Sequence, residues 1–99
     1  MAQFDLYPGM DGSGYVLDVQ CDLLEPLNTR VVVPLLSRRN APKPADRLNP
    51  VFRIGRTDYV MVTQFIAAVQ VTLLNPPIDS LSQHRDEIMS AIDMLTHGF

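Results

Sequence analysis

The sequence has a single cysteine, Cys21, which excludes an intrachain disulfide and makes any redox sensing depend on a second molecule. Cys21 lies in VLDVQCD, which alternates as a strand does, and we predict a small, buried or half-buried apolar residue there. The two histidines, His84 and His97, lack metal-ligand spacing, so a zinc site has too few ligands. Neither a Gly-x-Ser-x-Gly motif nor a paired acid and base is present. We therefore predict no metal or other cofactor and find little that indicates an enzyme.

Basic residues and long apolar runs are also scarce. The chain has 8 Lys and Arg against 11 Asp and Glu, a net charge of −3 and a pI near 5.1. Broad nucleic-acid binding, which normally needs a basic face, is therefore disfavoured, although a local basic patch is still compatible with these totals. Apolar runs such as FIAAV (Phe65–Val69) are far below membrane-span length, and the N-terminal residues do not resemble an export signal. We expect one cytoplasmic domain, residues 1–99, with no membrane contact.

Alternating apolar and polar residues predict strands through the first two thirds of the chain. The expected strands are Gln3–Tyr7, Tyr15–Leu23, Arg30–Leu36, Val51–Gly55, Thr57–Phe65 and Ala68–Leu74. The glycines of GMDGSG (residues 9–14) fit a hairpin loop better than a phosphate-binding loop, because strands flank both sides. Pro34 predicts an edge, a bulge or a strand end. Residues 37–50, SRRNAPKPADRLNP, form a long irregular segment of a kind that is often functional.

One helix is predicted near the C-terminus. Ser82 is the expected N-cap, and acidic residues follow in the first turn, where the helix dipole favours them. Gly98 is expected just past the end of the helix. The apolar stripe comprises Ile88, Ala91, Ile92 and Leu95. We therefore predict a mainly β fold, a small and strongly curved antiparallel sheet or barrel finished by one C-terminal helix.

Several polar residues are candidates for a functional role. Asp18 and Asp22 are either a carboxylate pair or ordinary solvent-facing strand residues, and His84 is expected on the surface. The long loop carries local positive charge, which fits either a solvated loop or a docking patch for an acidic peptide or RNA phosphates. The basic residues of this loop are Arg38, Arg39, Lys43 and Arg47.

Four stretches, in order, make the sequence resemble the CcdB family, the toxins of CcdA/CcdB type II toxin–antitoxin modules. They are LDVQCD (17–22), RVVVPL (30–35), LNPVFRIG (48–55) and SLSQHRDEIMSAIDM (80–94). The resemblance implies an SH3-like small barrel that forms a homodimer and performs no covalent chemistry. It further implies that the two C-terminal tails enter the DNA gyrase A subunit and trap the cleaved-DNA complex, which inhibits replication and transcription. A CcdA-like acidic antitoxin would remove the toxin from gyrase, as in modules of plasmid maintenance.

The resemblance also assigns residues. His97, Gly98 and Phe99 occupy the positions of the family's gyrase-binding Trp-Gly-Ile. Imidazole offers a smaller π-face than indole, and a protonated imidazole would repel the arginine on which the family Trp stacks. Family members often carry arginines in the first hairpin loop that meet the antitoxin, and residues 9–14 carry none. The positive residues Arg38, Arg39, Lys43 and Arg47 are therefore predicted to bind the antitoxin instead.

Two alternatives accompany this interpretation. With His97 in place of Trp, the protein would be a weakened or non-toxic homologue that acts as an antitoxin-binding decoy or regulator. Alternatively, since the fold is shared with MazF-like endoribonuclease toxins, the chain would cleave RNA with residues such as Arg39, Arg53 and Asp18. The acidic pI disfavours the second alternative.

Overall fold

The computed structural model describes residues 1–9 and 12–98, so Met10, Asp11 and Phe99 lie outside the described residues. The strands are β1 (Asp5–Pro8), β2 (Tyr15–Asp18), β3 (Thr29–Ser37), β4 (Val51–Ile54), β5 (Thr57–Met61), β6 (Ala67–Gln70) and β7 (Asp79–Ser80), followed by the helix α1 (Arg85–His97). Short 3₁₀ turns lie at Asp22–Leu24, Thr63–Phe65, Val71–Leu73 and Ser82–His84. The antiparallel strands curl into a half-barrel with one C-terminal helix, which confirms the predicted fold class. The helix is too short to cross a membrane, and no other described helix is a candidate for a span.

The sheet has the order β4-β5-β3-β2-β1-β7, and β6 also pairs with β3. One edge of β3 pairs with β2, while the other pairs with β6 over its first half and with β5 over its last residues. Pro34 lies between these two halves, where its missing N–H interrupts neither ladder, and its carbonyl accepts the Val62 N–H at 3.0 Å. At the far end, Asp5 of β1 lies opposite Ser80 of β7, which joins the two ends of the chain in one sheet.

The core lies between the concave face of the sheet and α1. The buried side chains on this face alternate along the strands, as the sequence predicted, and meet the buried Ile88 and Ala91 of the helix. The fully buried strand residues include Leu6, Leu17, Val33, Leu35 and Met61. Since apolar burial stabilises the fold by about 25 cal/mol per Å², this single layer provides most of the hydrophobic stabilisation.

The boundaries of several predicted elements were wrong. The strands beginning at Tyr15, Thr57 and Ala68 end earlier than predicted, because a 3₁₀ turn follows each of them. The two-residue strand β7 is too short to show an alternating pattern and was missed. Cys21 is exposed rather than buried, because β2 ends at Asp18 and the chain then leaves the sheet.

The helix is confirmed, but Ser82 does not cap it. Ser82–His84 form a 3₁₀ turn, so the N-cap position moves to His84, which makes no side-chain capping bond. Asp86 and Glu87 do lie in the first turn, as predicted. At the other end, Gly98 has φ 80° and ψ 10°, the left-handed conformation expected of a residue that ends a helix.

Candidate functional site

The C-terminal end of α1 presents an apolar surface next to the tail. Met94 and Leu95 are 38% and 37% exposed, although Leu95 was predicted to belong to the buried stripe. His97 is also exposed. The sheet covers the helix only as far as Ile92, which is half-buried, and the last turn extends beyond it. The sequence pattern contains no signal for the exposure of this last turn, because an apolar helical stripe has the same spacing whether or not the sheet packs against its end.

Gly98 fixes the direction in which the chain leaves α1. Its N–H donates to the carbonyls of Asp93 (3.2 Å) and Met94 (3.1 Å), which ends the helix in a left-handed turn. A side chain would fit at this position, since a Cβ would meet nothing within 4 Å. Glycine is favoured here because the backbone has a positive φ. Two of the three predicted gyrase-binding residues, His97 and Gly98, thus lie at an exposed helix end, and Phe99 lies outside the described residues.

The four basic loop residues differ in what they contact. The Arg38 Nε lies 3.9 Å from an Asp58 carboxylate oxygen, and Arg53 Nη1 lies 3.7 Å from the other oxygen of the same group. Arg39 and Lys43 are exposed and make no ion pair within residues 1–9 and 12–98. These two side chains are therefore the cations of the loop that are most available to an acidic partner.

Arg47, the fourth basic residue, is held against the helix. Its Nε donates to the Ser90 Oγ at 2.7 Å, and its φ of 65° is in the left-handed region that non-glycine residues rarely adopt. Together with Pro50 and Glu87, these two residues line a shallow cleft of about 270 Å³ between the loop and α1. Arg47 therefore anchors the loop to the helix that carries the tail.

Asp18 is completely buried and forms an ion pair that the sequence analysis missed. Its carboxylate accepts a hydrogen bond from Arg30 Nε (2.7 Å) and lies 2.6 Å from Arg30 Nη2, and both side chains are fully inaccessible. The carboxylate also accepts the Gln20 N–H at 2.9 Å. Burial raises the pKa of Asp18, and the Gln20 N–H and the Arg30 guanidinium oppose that rise. This geometry stabilises a charged group inside the protein and leaves it unreachable by a substrate.

The prediction that Asp18 and Asp22 are a carboxylate pair or solvent-facing neighbours is therefore wrong for Asp18. Asp22 is exposed and accepts the Gln3 N–H at 2.8 Å, away from the buried ion pair. The acid–base set suggested for RNA cleavage is not assembled either, because Asp18 is enclosed while Arg53 lies beside Asp58 on the surface. His84 is only partly the surface residue that was predicted: its ring lies 4.8 Å from that of Phe52, and its Nδ1 lies 3.2 Å from a Glu87 oxygen.

Tyr7 lies on the same face of the sheet as the buried pair. Its side chain is fully buried against Val16 and Val32, and its hydroxyl has no hydrogen-bond partner among the residues described. Burial, helped by the nearby Asp5 and Asp18 carboxylates and partly opposed by the Arg30 guanidinium, raises the pKa of Tyr7 to about 12. The phenol is therefore a buried donor that stays protonated well above its ordinary range.

This shift predicts a loss of stability at alkaline pH. A tyrosine whose folded pKa is about 12 and whose unfolded pKa is 10.0 stabilises the fold fully below pH 10 and loses that contribution as the pH rises towards 12. We expect the Tyr7→Phe variant to lack this decline, which amounts to roughly 2 kcal/mol, and to be no less stable than the parent at pH 7 because no hydrogen bond is lost. Urea unfolding from pH 8 to 12, with Tyr59→Phe as the control, measures this difference; equal slopes for parent and Tyr7→Phe would contradict it.

No group of three His, Cys, Asp or Glu side chains positioned to hold a metal ion occurs within residues 1–9 and 12–98.

In a comparison with protein families, the sequence matches the family described as CcdB protein over residues 3–98. The match covers nearly the whole chain, and the curled antiparallel sheet with one C-terminal helix is the fold that the resemblance implied. The chain therefore belongs to the CcdB family.

Proposed function

We propose that this protein is a gyrase poison: it binds the DNA gyrase A subunit, traps the complex of gyrase with cleaved DNA and is neutralised by a CcdA-like antitoxin. Membership of the CcdB family carries the toxin–antitoxin assignment. The observation that carries the gyrase-binding role is the helix end, where His97 and Gly98 are exposed next to the apolar Met94 and Leu95. A short exposed segment with apolar neighbours is suited to insert into a groove of a partner.

The mechanism requires binding and no covalent step by the toxin. The protein acts as a homodimer in the cytoplasm, each copy being one domain of residues 1–99, and each contributes a tail of His97, Gly98 and Phe99. Gly98 ends the helix in a left-handed conformation, which sets the direction in which the chain leaves α1. A tail that binds the cleaved state more tightly than the resealed state shifts gyrase towards the cleaved state.

Antitoxin binding is assigned to the loop of residues 37–50. Arg39 and Lys43 are exposed without an ion pair in the described part of the chain, so a carboxylate of an acidic antitoxin would find them unneutralised. Arg38 already lies near Asp58, and Arg47 is anchored to Ser90, so we expect both to contribute less. Since exposed ion pairs are weak one by one, this contact contributes mainly to orientation and association rate.

One observation favours a second candidate, a weakened homologue that acts as an antitoxin-binding decoy. The tail offers the small ring of His97 where the family has Trp, and less stacking area gives weaker gyrase binding. The His97→Trp variant separates the two functions. If the parent is inactive and this variant poisons gyrase, the decoy function holds.

Purified gyrase tests the main proposal directly. Adding the protein to gyrase, ATP and supercoiled plasmid should increase the amount of linear DNA released by detergent and protease. No linear DNA and no binding to the A subunit at any protein concentration would contradict the proposal. RNA incubated with the same preparation should stay intact, and cleavage would instead favour the endoribonuclease function.

A further inference from the structure

One outer corner of the sheet is basic, although the protein as a whole is acidic. Arg38 and Arg53 lie on either side of Asp58, and Arg56 lies in the turn between β4 and β5. We call these four residues the arginine face. They include three of the eight basic residues of the chain and only one of its eleven acidic residues. The face is therefore net positive in a chain whose total charge is −3, and the excess of negative charge lies elsewhere.

The strand register explains why these side chains come together. Arg53 of β4 is paired with Asp58 of β5, and Ser37 of β3 is paired with Tyr59 of β5, so Arg38 follows beside Asp58. The distances of 3.9 Å and 3.7 Å from the two arginines to the carboxylate oxygens agree with this register. Neighbouring strands lie about 4.8 Å apart, so the two arginine positions are separated by about 10 Å across the sheet.

This row of side chains faces the solvent. Phe52 and Tyr59 are paired and both contribute to the core, so their neighbours Arg53 and Asp58 lie on the opposite, outer face of the sheet. The side chains of Arg38 and Arg53 are 59% and 66% exposed. Both arginines approach the shared carboxylate at distances well beyond the roughly 2.8 Å of a strong charge-assisted hydrogen bond. They therefore retain N–H groups that can bind an external anion.

Arg56 extends the positive surface to the tip of the hairpin. The turn that joins β4 and β5 consists of Gly55 and Arg56, and Gly55 has φ 63°. A positive φ at the first turn residue alone is the pattern of a type II′ turn, which favours glycine there. A Cβ on Gly55 would meet nothing within 4 Å, so this turn is open to solvent. Arg56 is exposed and makes no ion pair with any residue that the structure describes.

The chemistry of the arginine face fits the phosphate backbone of a nucleic-acid duplex. A guanidinium donates two parallel N–H bonds to a phosphate, which is why arginine is common at phosphate-binding surfaces. A separation of about 10 Å corresponds to about three base pairs of B-form DNA, so Arg38 and Arg53 can contact phosphates of the same strand.

Two other classes of partner fit this surface less well. An acidic peptide needs clefts for its side chains, but neither the apolar groove of about 360 Å³ at Val32 and Val69 nor the cleft at Arg47 is lined by these arginines. A single-stranded nucleic acid needs exposed aromatic rings on which its bases stack. The aromatic ring of β5, Tyr59, instead packs edge-on against Tyr15, with ring centroids 4.9 Å apart.

We propose that the arginine face binds the phosphate backbone of duplex DNA without reading its sequence, as an interaction surface separate from the helix end. The distribution of charge favours approach from this side, because β4 forms one edge of the strand order and β7, with the acidic Asp79, forms the other. The contacts are electrostatic, so binding weakens steeply as salt rises. The free protein makes these contacts, and the proposal therefore does not depend on gyrase or on an antitoxin.

Fluorescence anisotropy with a fluorescein-labelled DNA duplex of about 20 base pairs tests the proposal. With three arginines on phosphates, the logarithm of the binding constant should fall against the logarithm of the NaCl concentration with a slope of about −2.7. Arg53→Gln should weaken binding roughly fivefold at low salt and make the slope shallower by about 0.9. Arg85→Gln is the matched control, because it removes the same charge beside the Phe4 ring and should change the binding constant less than about twofold.

Two further variants keep the test independent of any single substitution. Asp58→Asn should strengthen binding, because it removes the one negative charge of the face, whereas Asp93→Asn makes the same change of charge on α1 and should not. Arg56→Gln should weaken binding as Arg53→Gln does, and it breaks no ion pair of the folded protein. Circular dichroism of each variant checks that the fold is kept.

Three results would overturn the proposal. The first is no binding of the parent to the duplex at about 20 mM NaCl, or equal losses for Arg53→Gln and Arg85→Gln. The second is binding of a polyglutamate peptide that is at least as tight and equally sensitive to Arg53→Gln, which would assign the face to an acidic protein. The third is a preference of more than about tenfold for an RNA duplex. Because gyrase is absent from these assays, their failure leaves the toxin proposal standing, and failure of the gyrase assay leaves this one standing.

Discussion

The Arg30→Met variant should unfold with a free energy about 3–5 kcal/mol below that of the parent, because it leaves the Asp18 carboxylate buried without a counter-charge. Domains of this size are stable by only about 5–15 kcal/mol, so the loss would remove a large share of the total stability. Asp18 lies opposite Val32 in the pairing of β2 with β3, and Arg30 lies opposite Val69 in the pairing of β3 with β6, so the ion pair connects two ladders of the sheet. We therefore expect the effect throughout the sheet rather than in one loop.

The double variant Asp18→Asn with Arg30→Met is the matched control. It removes both charges and keeps an Oδ1 that can accept the Gln20 N–H, so it should recover at least about 2 kcal/mol of the loss. Urea unfolding followed by circular dichroism gives the free energies for the four members of the cycle. A cost below about 1 kcal/mol for Arg30→Met, or a double variant no better than the single one, would show that the buried pair does not have this effect.

The second large effect is expected at the tail. A variant that ends at Thr96 should lose at least about 100-fold in affinity for the gyrase A subunit, because a few central residues carry most of the energy of such interfaces. Its melting temperature should stay close to that of the parent, since His97 and Gly98 are exposed and add little to the core. Titration calorimetry against the A subunit and a thermal melt measure the two quantities separately.

Two point variants show which property of the tail matters. Gly98→Ala places an ordinary residue at φ 80°, so it should change the direction in which the chain leaves α1 and weaken gyrase binding while leaving the length unchanged. His97→Trp should strengthen binding through the larger ring. If the variant that ends at Thr96 binds as tightly as the parent, gyrase binding does not depend on the tail.

The sequence predicted the elements well and their surroundings poorly. Alternation identified the strands that contain Leu6, Leu17 and Val33, because every second residue of these strands enters the same core. Alternation did not reveal that Asp18 and Arg30 are buried. A polar residue on the opposite face of a strand gives the same sequence pattern whether that face is open to solvent or packed against another segment. The missing information was the fold of the chain from β6 onwards, which packs Val69 and Leu74 against Tyr7, Val16 and Val32 on that face.

The end of the helix was predictable, whereas the roles of its residues stay predictions. Family resemblance proposes His97 and Gly98 as gyrase contacts, and the conformation of Gly98 agrees with its place after the helical pattern. The division of the basic loop was not predictable, because it depends on Asp58 and Ser90, which are far from the loop in sequence. Cys21 was misjudged for a simpler reason: the alternating pattern continues past the point at which β2 ends.

The pairing of β1 with β7 constrains when the protein can mature during its synthesis. Asp5 and Leu6 of β1 can pair with Ser80 and Asp79 of β7 only after β7 has been synthesised, so nearly the whole chain must leave the ribosome before the sheet is complete. The helix that supports the tail follows these residues directly. A ribosome that stops before Asp79 therefore releases a sheet in which β1 has no partner at its outer edge, and the released chain also lacks the helix that carries the proposed gyrase-binding tail.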